Sequence, residues 1–371
     1  MEPNISNTQP PSPNPLTPIN PIDPQPPRRK KAKKWWAIGG GIIAVLAIAA
    51  GAYWWGSGQC PAQSSVMSTQ NTSSSQQKTP VASSNLTLDE SKNYGNKYAN
   101  GLLPVGDSHY VTDAPKTGYV YACSQYAQNL TQGGGGAQAR GPWFTNNNTE
   151  YDINKKIHVN GAVTWTPQFT NTLSQDSRII TTNDLPSHTT GIFPIAASDP
   201  ASQYDRNPNT ITAQSLTFTL AAAPTYDTTA HCMGGTAGVM LTGVELNNGF
   251  DAGGRDAGAW EIQDACAGHP QNRGVYHYHT LSTCITDISV HTVIGYALDG
   301  FPITGPQVNG GSNVLTTSDL DECHGITSGY QVNGKTITGY HYVMTQDFPY
   351  SVSCFRATPI QAPGMQEALH Q

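Results

Sequence analysis

"RGVYHYHT", Arg273–Thr280, sets two tyrosines and two histidines in alternation. Side chains on a strand point to opposite faces with period two. The run therefore reads as a strand with His277 and His279 on one face and Tyr276 and Tyr278 on the other. Two imidazoles at i and i+2 can both reach one ion, and imidazole suits Zn, Cu, Fe or Ni. A second Tyr-His-Tyr run, Tyr340–Tyr342, repeats the pattern around His341. If the two strands lie close together, His277, His279 and His341 converge as a metal site. A His-x-His pair alone is a weak signal, because a strand histidine commonly only hydrogen-bonds a neighbour. The third histidine and nearby carboxylates strengthen it.

The chain around this run reads as mainly β. "SLTFTLA", "GVMLTGVEL", "TVIGYAL", "YQVNGKTITGYHYVM" and "YSVSCF" are short β-branched or aromatic runs parted by Gly, Asn, Asp and Pro. Asn333-Gly334 is a strong hairpin signal between two of them. After Trp55 no segment keeps a long helical period, and "DAGAWEIQDAC" is the best short helical candidate. A disulfide-linked β-sandwich or barrel-like domain with long loops follows.

The amino-terminal part has a different character. Residues 1–34 are rich in proline and hold six Lys or Arg against Glu2 and Asp23. That gives +4 there and leaves −10 for the remainder of a chain with formal charge −6. The proline-rich stretch cannot bury enough apolar surface to offset its ordering entropy, so a disordered cytoplasmic tail is expected. Residues 35–55 carry no charge and no proline, and Trp35–Trp36 and Trp54–Trp55 flank them. At ~1.5 Å per residue this is enough helix to cross a hydrocarbon core of ~30 Å. A basic cluster on its amino side predicts a single-pass signal anchor at the cell membrane, with the rest of the chain extracytoplasmic. A cleaved signal peptide is the rival reading, since "AIAAGA" offers small residues. The long preceding tail and the second Trp pair favour the anchor. Residues 56–92, rich in Ser, Thr and Gln, read as a linker, and 93–371 as the globular region.

Six of the seven cysteines fall in that region: Cys123, Cys232, Cys266, Cys284, Cys323 and Cys354. An extracytoplasmic location lets them persist as disulfides, and fifteen pairings are open. Cys266–Cys284, bracketing the Tyr-His run, and Cys323–Cys354 are the favoured pairs, which leaves Cys123–Cys232 by elimination. Cys60 is left over beside the membrane, free or available for an intermolecular bridge.

Further candidates surround the run. His269 precedes it in "ACAGHPQNRG". Asp299 follows a hydrophobic strand in "GYALDGFPITG", while Asp321 and Glu322 flank Cys323 in "SDLDECHG". Each carboxylate is a candidate general base or metal ligand, set against a plain turn or capping role. An acidic, Gly-rich globular part argues against nucleic acid as a partner. GxSxG, HExxH and Walker signatures are absent. "QGGGGAQ", Gln132–Gln138, reads as a loop and not as a phosphate cradle.

Taken together, "GVELNNGFDAG", "CAGHPQNRGVYHYH", "VIGYALDGFPITG", "DLDECHG", "GYHYVMTQDFPY" and "SCF" resemble the YHYH-domain family of secreted or membrane-anchored proteins. The resemblance runs from about Leu241 to Phe355, within a domain expected over about 225–360, and gives residues 93–225 no counterpart. It implies an extracytoplasmic domain whose biochemical role is not established. Its signature positions here are His269, Tyr276, His277, Tyr278, His279, Asp299, Asp321, Glu322 and His341. Thr304 stands where the family usually has tyrosine, and His324 stands where it usually has asparagine, so that it joins His269 as a weaker metal-ligand candidate. The leading expectation is one divalent transition metal, Zn or Cu, on His277, His279 and His341. In an enzymatic, hydrolase-like form, Asp321 or Glu322 would serve as base. The alternative is a non-catalytic surface module that binds glycan or protein.

Overall fold

Eight strands build the principal sheet of the protein, here a computed structural model that describes residues 86–126 and 140–363. They are β1 (Thr236–Met240), β2 (Glu245–Asn247), β3 (Gly268–Pro270), β4 (Tyr276–Tyr278), β5 (Val293–Ala297), β6 (Pro302–Thr304), β7 (Gly325–Val332) and β8 (Lys335–Val343). Their order across the sheet is β3-β4-β2-β1-β5-β6-β8-β7. Most neighbours are antiparallel, but β2 pairs with β4 and β6 with β8 in parallel. The edge strands β3 and β7 do not meet, so the barrel-like expectation is corrected to an open mixed sheet beside several smaller ones.

Local chemistry explains the elements. Asn333 and Gly334 both take positive φ between the paired Val332 and Lys335. This is the two-residue turn whose twist suits the flanking strands. "GVMLTGVEL", by contrast, is not one strand. Gly243 turns the chain at φ 99°, and β2 folds back antiparallel on β1. The helical candidate gives only one turn, α1 (Ala257–Trp260), started by Asp256, whose side chain accepts from the Ala259 N–H.

A second sheet of Phe169–Ser174, Ser177–Thr182 and Leu216–Ala221 shares the main core. In the last of these strands Leu216, Phe218 and Leu220 are buried and Thr217 and Thr219 are exposed, the alternation of a half-covered strand. Full burial of such a side chain contributes ~1.5–3 kcal/mol. Disulfides join Cys123–Cys232, Cys266–Cys284 and Cys323–Cys354, the three expected pairs.

Contacts divide the chain into Met1–Thr72 and Ser73–Gln371, and every described residue belongs to the second unit. The expected tail, the span 35–55, Cys60 and the Gln132–Gln138 loop lie outside the described residues. Among the described residues no helix is long and apolar enough to cross a membrane. Thr87 bridges Thr327, so strand pairing already begins inside the stretch read as linker.

Candidate metal centre

The alternation of the Tyr-His run is realised on β4, which is buried on both faces. Tyr276 donates its hydroxyl to Asp264 at 2.9 Å, and Tyr278 donates to Thr242 Oγ1 at 3.1 Å. His277 and His279 gather away from these contacts, with Nε2 atoms 3.0 Å apart. The antiparallel register of β3 against β4 sets His269 directly opposite His277. Nε2 or Nδ1 atoms of all three histidines lie within 4.8 Å of one another.

The tautomers follow from the backbone. His279 Nδ1 lies 2.6 Å from the Asn248 carbonyl, and His277 Nδ1 lies 3.4 Å from the Val275 carbonyl. A carbonyl only accepts, so the short contact puts the proton of His279 on Nδ1 and turns its Nε2 lone pair into the cluster, and the longer His277 contact favours the same tautomer. Two imidazole lone pairs at 3.0 Å repel each other unless a cation lies between them.

Glu261, the residue immediately after α1, completes the group. Its Oε2 stands 3.2 Å from His279 Nε2 and 3.3 Å from His269 Nε2. Neither Oε2 nor either His269 ring nitrogen has a directional hydrogen-bond partner, though all are buried. Donors ~2.0–2.1 Å from one ion are ~2.9–3.4 Å apart for angles between octahedral and tetrahedral. The observed separations of 3.0, 3.2 and 3.3 Å fall in that shell.

Electrostatics agrees with the geometry. Burial alone would raise the Glu261 carboxyl, but the facing His269 and His279 outweigh it and hold it well below the usual carboxylate range. Burial pushes His277 and His279 down, and both stay neutral at pH 7. Burial also opposes charge on His269, yet the Glu261 carboxylate prevails and raises it. Buried Lys156 supports the loop from behind, donating to the Gly258 carbonyl at 2.5 Å.

A cavity of about 450 Å3 lies over the cluster, and His269, His277, His279 and Glu261 all line it. The family model described as YHYH protein matches residues 217–313, which contain all four donors. The chain carries a YHYH domain. No curated protein and no solved structure matches the chain.

The other signature residues of the YHYH domain stand elsewhere. His341 lies on β8, five strand positions from β4, or ~24 Å at the usual strand spacing. It cannot join His277 and His279, which corrects the three-histidine set first expected. Its Nδ1 meets Thr304 Oγ1 at 3.0 Å and its Nε2 meets Ser328 Oγ at 2.7 Å. Thr304, one of the two departures from the family pattern, thus partners a core histidine and does not shape the cavity. His324, the other, donates from Nδ1 to the Val343 carbonyl at 2.7 Å, and its Nε2 lies 3.1 Å from Thr317 Oγ1 and 3.2 Å from Thr345 Oγ1.

Asp299, Asp321 and Glu322 do not line the cavity either. They collect around Arg356, beside the Cys323–Cys354 bridge. Asp299 accepts the Arg356 N–H at 3.0 Å, Asp321 lies 3.8 Å from the guanidinium Nε, and Glu322 pairs with Nη2. A second group, His188 with Cys266 and Cys284, offers no thiolate because its cysteines are bridged.

Proposed function

We propose that the YHYH domain binds one divalent transition metal through His269, His277, His279 and Glu261. The observation that carries this reading is the pair of His277 and His279 Nε2 atoms held 3.0 Å apart, with a Glu261 carboxylate oxygen 3.2 Å from the second. Four protein donors would close a tetrahedral site of the structural zinc type. The adjoining cavity instead favours an ion of higher coordination number, such as Cu(II), with positions left for a ligand or water. In a hydrolase-like reading, Asp205 replaces Asp321 and Glu322 as the candidate base, because it lines the same cavity. Metal analysis of the tag-free full chain, purified without added metal, should find about one ion per chain. Glu261→Ala should empty the site. A chain that carries no metal and takes up neither Zn(II) nor Cu(II) in calorimetry would overturn the reading.

The same proposal places the domain outside the cell on a single-pass anchor. Three disulfides in the described residues support an oxidising compartment. Protease added to intact cells should release the domain, and full protection would refute this topology.

A further inference from the structure

The cavity has two walls of different chemistry. Asp205, Asn207 and Gln271 rise over β3, where Asn207 Nδ2 donates to the Pro270 carbonyl at 2.8 Å. Asn247, Tyr126 and Phe250 rise on the β2 side. The Tyr126 and Phe250 rings meet with centroids 5.0 Å apart. Tyr126 is fixed by Asn248 Nδ2, which donates to its hydroxyl at 3.0 Å. The partly exposed ring of Tyr126, backed by buried Phe250, therefore adjoins a rim of amides and carboxylate.

Charge narrows the ligand. Among the described residues the lining includes the carboxylates of Asp205, Glu261 and Asp251, the last paired with Arg255 at 2.6 Å, and no Lys or Arg. A phosphate or carboxylate ligand would meet the like charge of Asp205 and Glu261, whereas anion sites normally offer Arg, Lys or backbone N–H groups. Asn247 is 8% exposed and its Oδ1 lacks a hydrogen-bond partner. A buried acceptor left unpaired costs ~1–3 kcal/mol, which a hydroxyl donor would relieve. A peptide is disfavoured at the sheet edge, because the Gly268 and Pro270 carbonyls of β3 already accept from Asp264 N and Asn207 Nδ2. The volume, about 450 Å3, falls in the ~300–1,000 Å3 range of small-molecule sites.

We propose that this cavity receives a neutral carbohydrate, with one ring face on Tyr126 and its hydroxyls on Asn247, Asp205 and the metal. The proposal rests on the metal reading above, so metal content is measured on the same samples. The full chain, held in a detergent without a sugar headgroup, is titrated calorimetrically with cellotriose, chitotriose, galactobiose, tri-galacturonate and acetyl-triglycine amide. At least one neutral sugar should bind with a Kd of about 1 mM or tighter. Tyr126→Ala should weaken it about tenfold or more with metal content unchanged, a loss of ~1.4 kcal/mol or more. Loss of metal from the wild-type chain speaks against the metal centre. A metal-loaded chain that binds none of the neutral sugars, or binds the acidic sugar or the peptide as tightly, overturns the carbohydrate assignment. Neutral-sugar binding that Tyr126→Ala leaves untouched overturns it as well.

Discussion

His277→Ala should lower metal affinity by more than about 100-fold, since even the outer partners of a ligating histidine are worth ~10–100-fold. His277 is central to the group: its Nε2 faces His279, and its strand register faces His269. Removing it relieves a lone-pair repulsion in the metal-free chain, so the fold should persist. His341→Ala should behave in the opposite way, although both residues sit between two tyrosines. Metal affinity should stay unchanged while stability falls by ~2–4 kcal/mol, because Thr304 and Ser328 lose a buried partner and a ring-sized space opens.

The pH dependence separates the two further. Burial pushes His341 down to about 3, so it stays neutral in the folded chain where the unfolded chain takes up a proton near ~6.5. Its contribution is fully present above ~6.5 and is lost as pH falls toward about 3, with a slope up to ~1.4 kcal/mol per pH unit. His341→Asn should remove that slope. Equal metal affinities in wild type, His277→Ala and His341→Ala would show that the Tyr-His alternation is only a core strand.

Why the sequence ranked His341 above His269 and left Glu261 aside is a matter of range. Period two is a local property, so the faces of β4 were legible from "VYHYHT". Which strands neighbour β4 depends on a parallel pairing with β2 and on four strands standing between β4 and β8. No pattern in the two Tyr-His-Tyr runs encodes that order. His269 did leave a signal. The turn at Asn272–Gly274 centres the hairpin on Arg273, and His269 and His277 are equidistant from it, as cross-strand partners must be. Glu261 left a fainter one, a single charge between Trp260 and Ile262 in an otherwise apolar stretch. A lone carboxylate in such a setting is buried only with a partner. The carboxylates beside Cys323 were misread because their partner, Arg356, is distant in sequence and is brought near by the Cys323–Cys354 bridge.

Asp299→Ala should be the most destabilising substitution among the signature residues outside the metal centre, at ~3–5 kcal/mol, with metal content unchanged. The residue was a candidate base, yet all of its visible capacity is spent within the fold. Oδ2 accepts from the Tyr342 hydroxyl at 2.6 Å, Arg356 N at 3.0 Å and Ala357 N at 3.1 Å, while Oδ1 accepts from Phe301 N at 3.2 Å. These bonds tie the turn after β5 to β8 and to the segment that follows Cys354. Burial raises its carboxyl to about 6, so at pH 7 the group is ionised and meets four donors. Alanine would leave the Phe301 and Ala357 N–H groups and the Tyr342 hydroxyl without that acceptor, each unpaired group costing ~1–3 kcal/mol before relaxation, while Arg356 N keeps the Tyr342 oxygen at 2.8 Å. An asparagine side chain would keep one acceptor oxygen but set an amide N–H against one of the donors, so Asp299→Asn should lose less than alanine does. Denaturant unfolding of the three proteins, with metal content measured in parallel, checks the order. Loss of metal in Asp299→Ala with stability unchanged would return Asp299 to the candidate functional residues and remove it from the structural lock.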